Sequence, residues 1–187
     1  MMNNGKRCVH KIILSSVNHT LTEQVSLSKI KHHDRLVEME FNFPLNNLNP
    51  TKLGTILNTN LTVNKESLTG FMKGFIDLIF RLDGKYYILD YKSNHLGDTF
   101  ESYSNEKLSK EMFLSRYTIQ YHIYLIAFLR YIRLKQPDFD YEQNFGGIIY
   151  LFVRGVNPKI PGSGVFFHKP KLHLVQQLDE LMGDLNH

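Results

Sequence analysis

A chain of 187 residues, 42% hydrophobic and 21% charged, is long enough to bury a core and reads as one domain, 1–187. Its formal charge of +4 and pI near 9.0 weigh mildly toward a polyanionic partner. The single cysteine, Cys8, excludes an internal disulfide and a cysteine-based zinc site, which suits a reducing cytoplasm. No apolar run approaches the roughly 18 residues that a membrane span needs.

Near the N-terminus, CVHKIILSSV is too short, and too interrupted by His10 and Lys11, for a secretory signal. Residues 7–17 are expected to form a short helix, and SLSKIKHHDR (26–35) a polar, basic connector. VEMEFNF (37–43) alternates strictly, which predicts a strand with Val37, Met39, Phe41 and Phe43 on its covered face and Glu38 and Glu40 on a solvated one. Residues 44–70, rich in Asn, Thr and Gly, read as loop with one short helix. Two apolar runs, 71–82 and 85–93, are strands around a turn, and a polar loop (94–109) follows. EMFLSRYTIQYHIYLIAFLRYIRLK (111–135) has the apolar period of one long helix, bounded by Pro137. GGIIYLFVR (146–154) is apolar on both faces, as a central buried strand should be. PGSG (161–164) turns the chain into a short strand, VFFH, and Pro170 opens a last helix with Leu174, Val175, Leu178, Leu181 and Met182 toward the core. This order predicts a mixed α/β sheet with helices against it.

The two central strands carry charges where their pattern asks for valine or leucine. Asp83-Gly84 is the favoured two-residue hairpin turn, because type I′ needs positive φ at both centres. That turn pairs Leu82 with Lys85, Arg81 with Tyr86, Ile79 with Ile88 and Asp77 with Asp90, and sets Phe75 opposite Lys92. Two carboxylates facing each other at about 5 Å repel by roughly 3 kcal/mol at an effective dielectric near 20. A shared proton, a nearby cation or a divalent metal must offset this. Lys92 brings one positive charge, and a Mg²⁺ ion, which takes one or two carboxylates plus waters and substrate phosphate, would complete the balance. The competing reading puts both aspartates at solvated strand ends with Lys92 paired to one of them. It accounts poorly for the apolar neighbours Ile76, Leu78, Ile88 and Leu89.

An aspartate on one strand and Asp-x-Lys on the next resembles the core of the restriction-endonuclease-like nucleases. The surrounding residues narrow the likeness: GFMKGFIDLIFRLDGKYYILDYKSNHLG (70–97), RYTIQYHIYLIAFLRYIR (116–133) and FGGIIYLFVRGV (145–156). From about Val37 to Val156 the chain closely resembles the nuclease domains of the RecB family, found at the C-terminal end of the beta subunit of exodeoxyribonuclease V. The resemblance implies a restriction-endonuclease-like α/β core with a mixed central sheet flanked by helices. It implies a Mg²⁺-dependent deoxyribonuclease of recombinational repair, acting on single-stranded DNA or linear duplex ends beside RecC-like and RecD-like subunits. By the same resemblance Asp77, Asp90 and the Tyr91 carbonyl hold the metal, Lys92 is catalytic, and Gln120 and Tyr124 match a Gln-x-x-x-Tyr that helps hold the DNA strand. Read from spacing alone, Gln120 and Tyr124 are a helix packing face with a polar edge. Arg116, Tyr117, Tyr121, Arg130 and Arg133 could add phosphate and stacking contacts, with a solvated helix face as the plainer reading.

The chain departs from the family pattern in two ways. The family's metal-binding histidine lies on a helix upstream of the strand equivalent to 37–43, and the chain is expected to begin after that point; His10 only loosely recapitulates it, and His32 and His33 sit in the connector. No helicase region and no G-x-x-x-x-G-K-[ST] phosphate loop occurs. The alternative expectation is therefore a catalytically inactive or truncated remnant that binds DNA or protein.

Overall fold

The computed structural model describes residues 21, 25–59, 61, 66–157, 159–160 and 162–183. The helix expected at 7–17, with Cys8 and His10, lies outside the described residues. Strand β1 runs from Arg35 to Leu48 and is followed by helix α1, Pro50–Ile56. Asn49 caps α1, its side chain accepting from Lys52 N at 2.9 Å, with Pro50 at the position where a missing N–H costs nothing. Strands β2 (Leu68–Leu82) and β3 (Lys85–Lys92) form the expected hairpin. Asp83 and Gly84 take φ values of 50° and 77°, as type I′ requires. The ladder pairs Leu82 with Lys85, Arg81 with Tyr86 and Ile79 with Ile88.

Beyond β3 the expected loop at 94–109 contains a 3₁₀ turn, Phe100–Tyr103, and the start of helix α2, Asn105–Leu114. The long helix expected over 111–135 is in fact two, because α3 begins afresh at Tyr117 and runs to Lys135. Arg116 between them has φ 57°, a left-handed conformation that no helix continues through. Ser115 stabilises the break by donating from Oγ to Glu111 Oε1 at 2.6 Å. A one-turn helix, Tyr141–Asn144, leads into β4 (Phe145–Phe152), then β5 (Val165–His168) and helix α4 (Leu172–Leu181). Pro170 stands two residues ahead of α4 rather than opening it, and its carbonyl accepts from the Tyr141 hydroxyl at 2.6 Å.

The five strands lie in chain order, β1-β2-β3-β4-β5. All neighbours are antiparallel except β3 and β4, whose parallel pairing requires a long crossover, supplied by α2 and α3. Strand β4 is buried on both faces: Ile148, Tyr150 and Phe152 join the helix-covered core, and Ile149 and Leu151 join the core on the opposite face. The helix-covered core holds Met39, Phe41 and Phe43 of β1 with Leu125, Phe128 and Ile132 of α3 and Val175 and Leu178 of α4. Val37 breaks the expected alternation and is 59% exposed. The cause is Glu38, whose φ of 52° reverses the pleat at that point. Among the described residues no helix is long and apolar enough to cross a membrane.

The buried Arg130 ties α3 into this frame. Arg130 donates from Nε to Asp179 Oδ1 at 2.8 Å and from Nη2 to the Gly183 carbonyl at 2.7 Å, while Arg133 takes the other Asp179 oxygen at 2.9 Å. Arg130 and Arg133 clamp α3 to α4; Arg130 and Tyr121 are buried and not available to phosphate, whereas Arg133 stays on the solvated face of the helix. His122 is also buried, and its Nδ1–H donates to the Thr118 carbonyl at 2.7 Å. Burial lowers its pKa to about 4.

Replacing Asp179 by alanine strands the buried Arg130 charge and is expected to lower the unfolding free energy by about 3 kcal/mol. The paired change Arg130→Met with Asp179→Leu should recover most of that loss, as urea denaturation will show. The neutral His122 ring favours folding above the unfolded histidine pKa of about 6.5, and that contribution is lost as pH falls toward 4. His122→Leu is expected to spare the chain up to about 3 kcal/mol of its acid destabilisation between pH 7 and 4, read as a flatter profile of melting temperature against pH.

Candidate active site

Asp90 and Lys92 are placed by the parallel pairing of β3 with β4. Asp90 is in register with Tyr150 and Lys92 with Phe152, so all four point toward the helix-covered face. Asp77 is placed by a parting of strands. The β2–β3 ladder stops at Leu78–Leu89, one pair short of Asp77 and Asp90, so the expected pairing of the two aspartates, and of Phe75 with Lys92, does not form. In its place the Tyr91 amide donates to Asp77 Oδ2 at 2.9 Å, a side chain substituting for the missing main-chain acceptor. The pleat reverses here: Ile76 and Leu78, two residues apart, lie in the cores on opposite faces of the sheet. Strand β1 reverses at the facing position, since the pairs Val37–Leu78 and Met39–Ile76 leave Glu38 opposite Asp77. Two facing strands thus break together beside the aspartate, and non-glycine residues held at positive φ concentrate at functional sites.

Asp90 is 3% exposed, and burial raises its carboxyl pKa, with the Asp77 charge adding to the rise and Lys92 opposing it. Lys92 Nζ lies 2.5 Å from Asp90 Oδ2. The contact is close but poorly directed, and Oδ2 receives no well-aligned hydrogen bond among the described residues. A buried carboxylate whose charge is met by a single ammonium still has lone pairs that a further donor or a cation can use. The lysine also donates to Gln120 Oε1 at 3.0 Å, and that oxygen accepts the Tyr150 hydroxyl at 2.9 Å. Gln120 Nε2 in turn donates to the Tyr124 hydroxyl at 2.9 Å. Burial, then the Asp90 charge, pushes the phenols of Tyr124 and Tyr150 up, so both stay protonated.

The residues singled out in the sequence therefore gather: Asp77, Asp90, Tyr91, Lys92, Gln120 and Tyr124 occupy one locality at the parting of β2 and β3 and the N-terminal half of α3. Gln120 and Tyr124 face inward onto the lysine, and Tyr124 is buried. Arg130 and Tyr121 belong to the core, and Arg133 lies on the solvated face of α3, as the plainer reading had it. His32 and His33 lie on a 3₁₀ turn before β1, where His33 pairs with Asp34. Among the described residues no group of three or more His, Cys, Asp or Glu side chains is arranged for a metal. The groups that would hold a metal are the Asp77 and Asp90 carboxylates and the Tyr91 carbonyl. Such an all-oxygen set would suit a hard cation such as Mg²⁺, which fills its remaining positions with water and substrate oxygens. Sequence reading missed Tyr150, because GGIIYLFVR looks like core throughout and parallel register leaves no local signature.

The mixed sheet, its flanking helices and the aspartate and Asp-x-Lys at the parting strands define an α/β fold of the restriction-endonuclease-like class. No protein-family model matches the chain. It is 38% identical over 169 residues to the RecBCD enzyme subunit RecB of Escherichia coli, covering 86% of this chain and 14% of that protein. It is 39% identical over 175 residues to the RecB subunit of Haemophilus influenzae, covering 89% and 14%, and 32% identical over 190 residues to that of Mycobacterium tuberculosis, covering 84% and 17%. The chain belongs to the RecB family and spans about one seventh of the length of these first two relatives.

Lys92→Met leaves Asp90 buried without its counter-charge and is expected to destabilise the fold by about 3 kcal/mol. Adding Asp90→Asn in that background should restore most of the loss, measured by urea denaturation.

Proposed function

We propose that this chain is a RecB-type nuclease domain, a Mg²⁺-dependent deoxyribonuclease that hydrolyses phosphodiester bonds in RecBCD-type repair of DNA breaks. The observation that carries the reading is the buried Asp90–Lys92 pair beside Asp77, where β2 and β3 part. Asp77, Asp90 and the Tyr91 carbonyl are the groups that would hold the ion. When bound, Mg²⁺ supplies Lewis-acid polarisation of the scissile phosphate. Lys92 places a positive charge where negative charge develops on the phosphate oxygens, and its ammonium can orient the attacking water. The water oxygen forms the new bond to phosphorus as the ester P–O bond breaks, and the leaving oxygen takes a proton. Gln120, fixed by Tyr124 and Tyr150, keeps the lysine at that place. The full-length relatives carry the name of a RecBCD enzyme subunit, which supports cytoplasmic assembly with RecC-like and RecD-like subunits and action on single-stranded DNA or linear duplex ends.

A second reading has one observation in its favour: the Lys92 ammonium already lies against the carboxylate that a metal needs. A chain that keeps this closed state permanently would be an inactive module that binds DNA or protein.

Purified chain is expected to degrade linear DNA with Mg²⁺, to stop on chelation, and to lose at least about 100-fold in rate with Asp90→Ala. Full activity in that variant would sink the assignment. Absence of Mg²⁺ or Mn²⁺ binding by calorimetry at millimolar metal would favour the inactive module.

A further inference from the structure

Lys92 is held by more than its carboxylate. Its Nζ lies 4.2 Å from the ring centroid of Tyr117 and 5.0 Å from that of Tyr150, within cation–π reach, and its side chain is 12% exposed. Both rings are fixed from behind. The Tyr150 hydroxyl donates to the same Gln120 oxygen that accepts from the lysine. The Tyr117 hydroxyl donates to Asn94 Oδ1 at 3.1 Å, and Asn94 Nδ2 donates to Glu111 Oε1 at 2.9 Å, the oxygen that also takes Ser115. The break between α2 and α3 belongs to the same arrangement. Left-handed Arg116 makes Tyr117 the first residue of α3, which brings its ring over the ammonium.

Every group in this cradle is neutral. A cation engaging Asp90 would deprive Lys92 of its only carboxylate contact among the described residues, and a four-carbon stem without another partner would swing away. Two ring faces and an amide oxygen attract the ammonium without competing for the metal.

We propose that Tyr117 and Tyr150 are positioning residues which, with Gln120, form a neutral berth that keeps the Lys92 ammonium in place when Asp90 is engaged by a cation. The inference rests on the nuclease reading for its purpose, but the berth can be tested without activity. Lys92 is labelled by reductive methylation of the metal-free chain and followed by mass spectrometry against Lys107 on the exposed side of α2. Tyr117→Leu is expected to raise the Lys92 labelling rate about three- to fivefold, while Tyr117→Phe and Tyr150→Phe, which keep the rings, stay within about twofold. In the Mg²⁺ nuclease assay Tyr117→Leu should lower kcat about tenfold with KM nearly unchanged, and should add nothing in a Lys92→Ala background. Tyr117 is half-buried, so the leucine variant is expected to fold, and Tyr117→Ala gives an independent loss of the ring. Unchanged labelling in both variants overturns the berth, and so does a loss confined to KM, which would make Tyr117 a contact to DNA. If the parent chain cuts no DNA, the nuclease reading fails and the labelling alone decides the berth.

Discussion

Taking a carboxylate and an ammonium out of water costs several kcal/mol per ion, and their attraction repays it only when the remaining valences are met. Asp90 and Lys92 are 3% and 12% exposed on the helix-covered side of the sheet, so the neighbourhood must answer that constraint. For the lysine it does, with Gln120 Oε1 and two tyrosine rings. For the aspartate it does so more sparingly, with the Lys92 ammonium against Oδ2 and the Tyr124 hydroxyl beside the carboxyl. The lysine is thus held by more neutral groups than the aspartate is.

The arrangement of the backbone follows from the same demand. A continuous β2–β3 ladder would seal the space between Asp77 and Asp90 with main-chain hydrogen bonds. The ladder instead ends at Leu78–Leu89, and Asp77 satisfies the Tyr91 amide with its own side chain. The reversal in β2 is matched by one in β1 at Glu38, and β2 keeps apolar residues, Ile76 and Ile79, on the helix-covered face on either side of its break. Helix α3 is cut in the same way, its start at Tyr117 aligning Tyr117, Gln120 and Tyr124 along the lysine. Far from the site, the Arg130–Asp179–Arg133 clamp holds the other end of α3 against α4. The long helix is thus fixed at one end by a buried ion pair and at the other by the site itself.

Much of this was legible from residues alone where local rules apply. Asp83-Gly84 specified the hairpin and its register as far as Leu78–Leu89, since two-residue turns admit few geometries. The alternation of Met39, Phe41 and Phe43 and the double-sided apolar run of β4 read correctly, because a buried face imposes its period on the sequence. Val37 did not, because nothing in VEMEF marks Glu38 as left-handed. The Asp77–Asp90 pairing failed for the related reason that the turn dictates register only while the ladder persists.

By itself, then, the sequence determined the hairpin, the apolar faces, the aspartates and lysine of the candidate site as residues set among apolar neighbours, and the likeness to RecB nuclease domains, all properties of short segments or of residues fixed in order. Tertiary structure alone decided that β3 and β4 run parallel, which sets Tyr150 beneath Lys92, and that α2 and α3 are separate. It also decided that Arg130 is buried against Asp179. Each of these depends on a contact between residues distant in the chain, such as Arg130 with Asp179 or Lys92 with Gln120, and the energy of such a contact exists only once the fold has brought its two partners together.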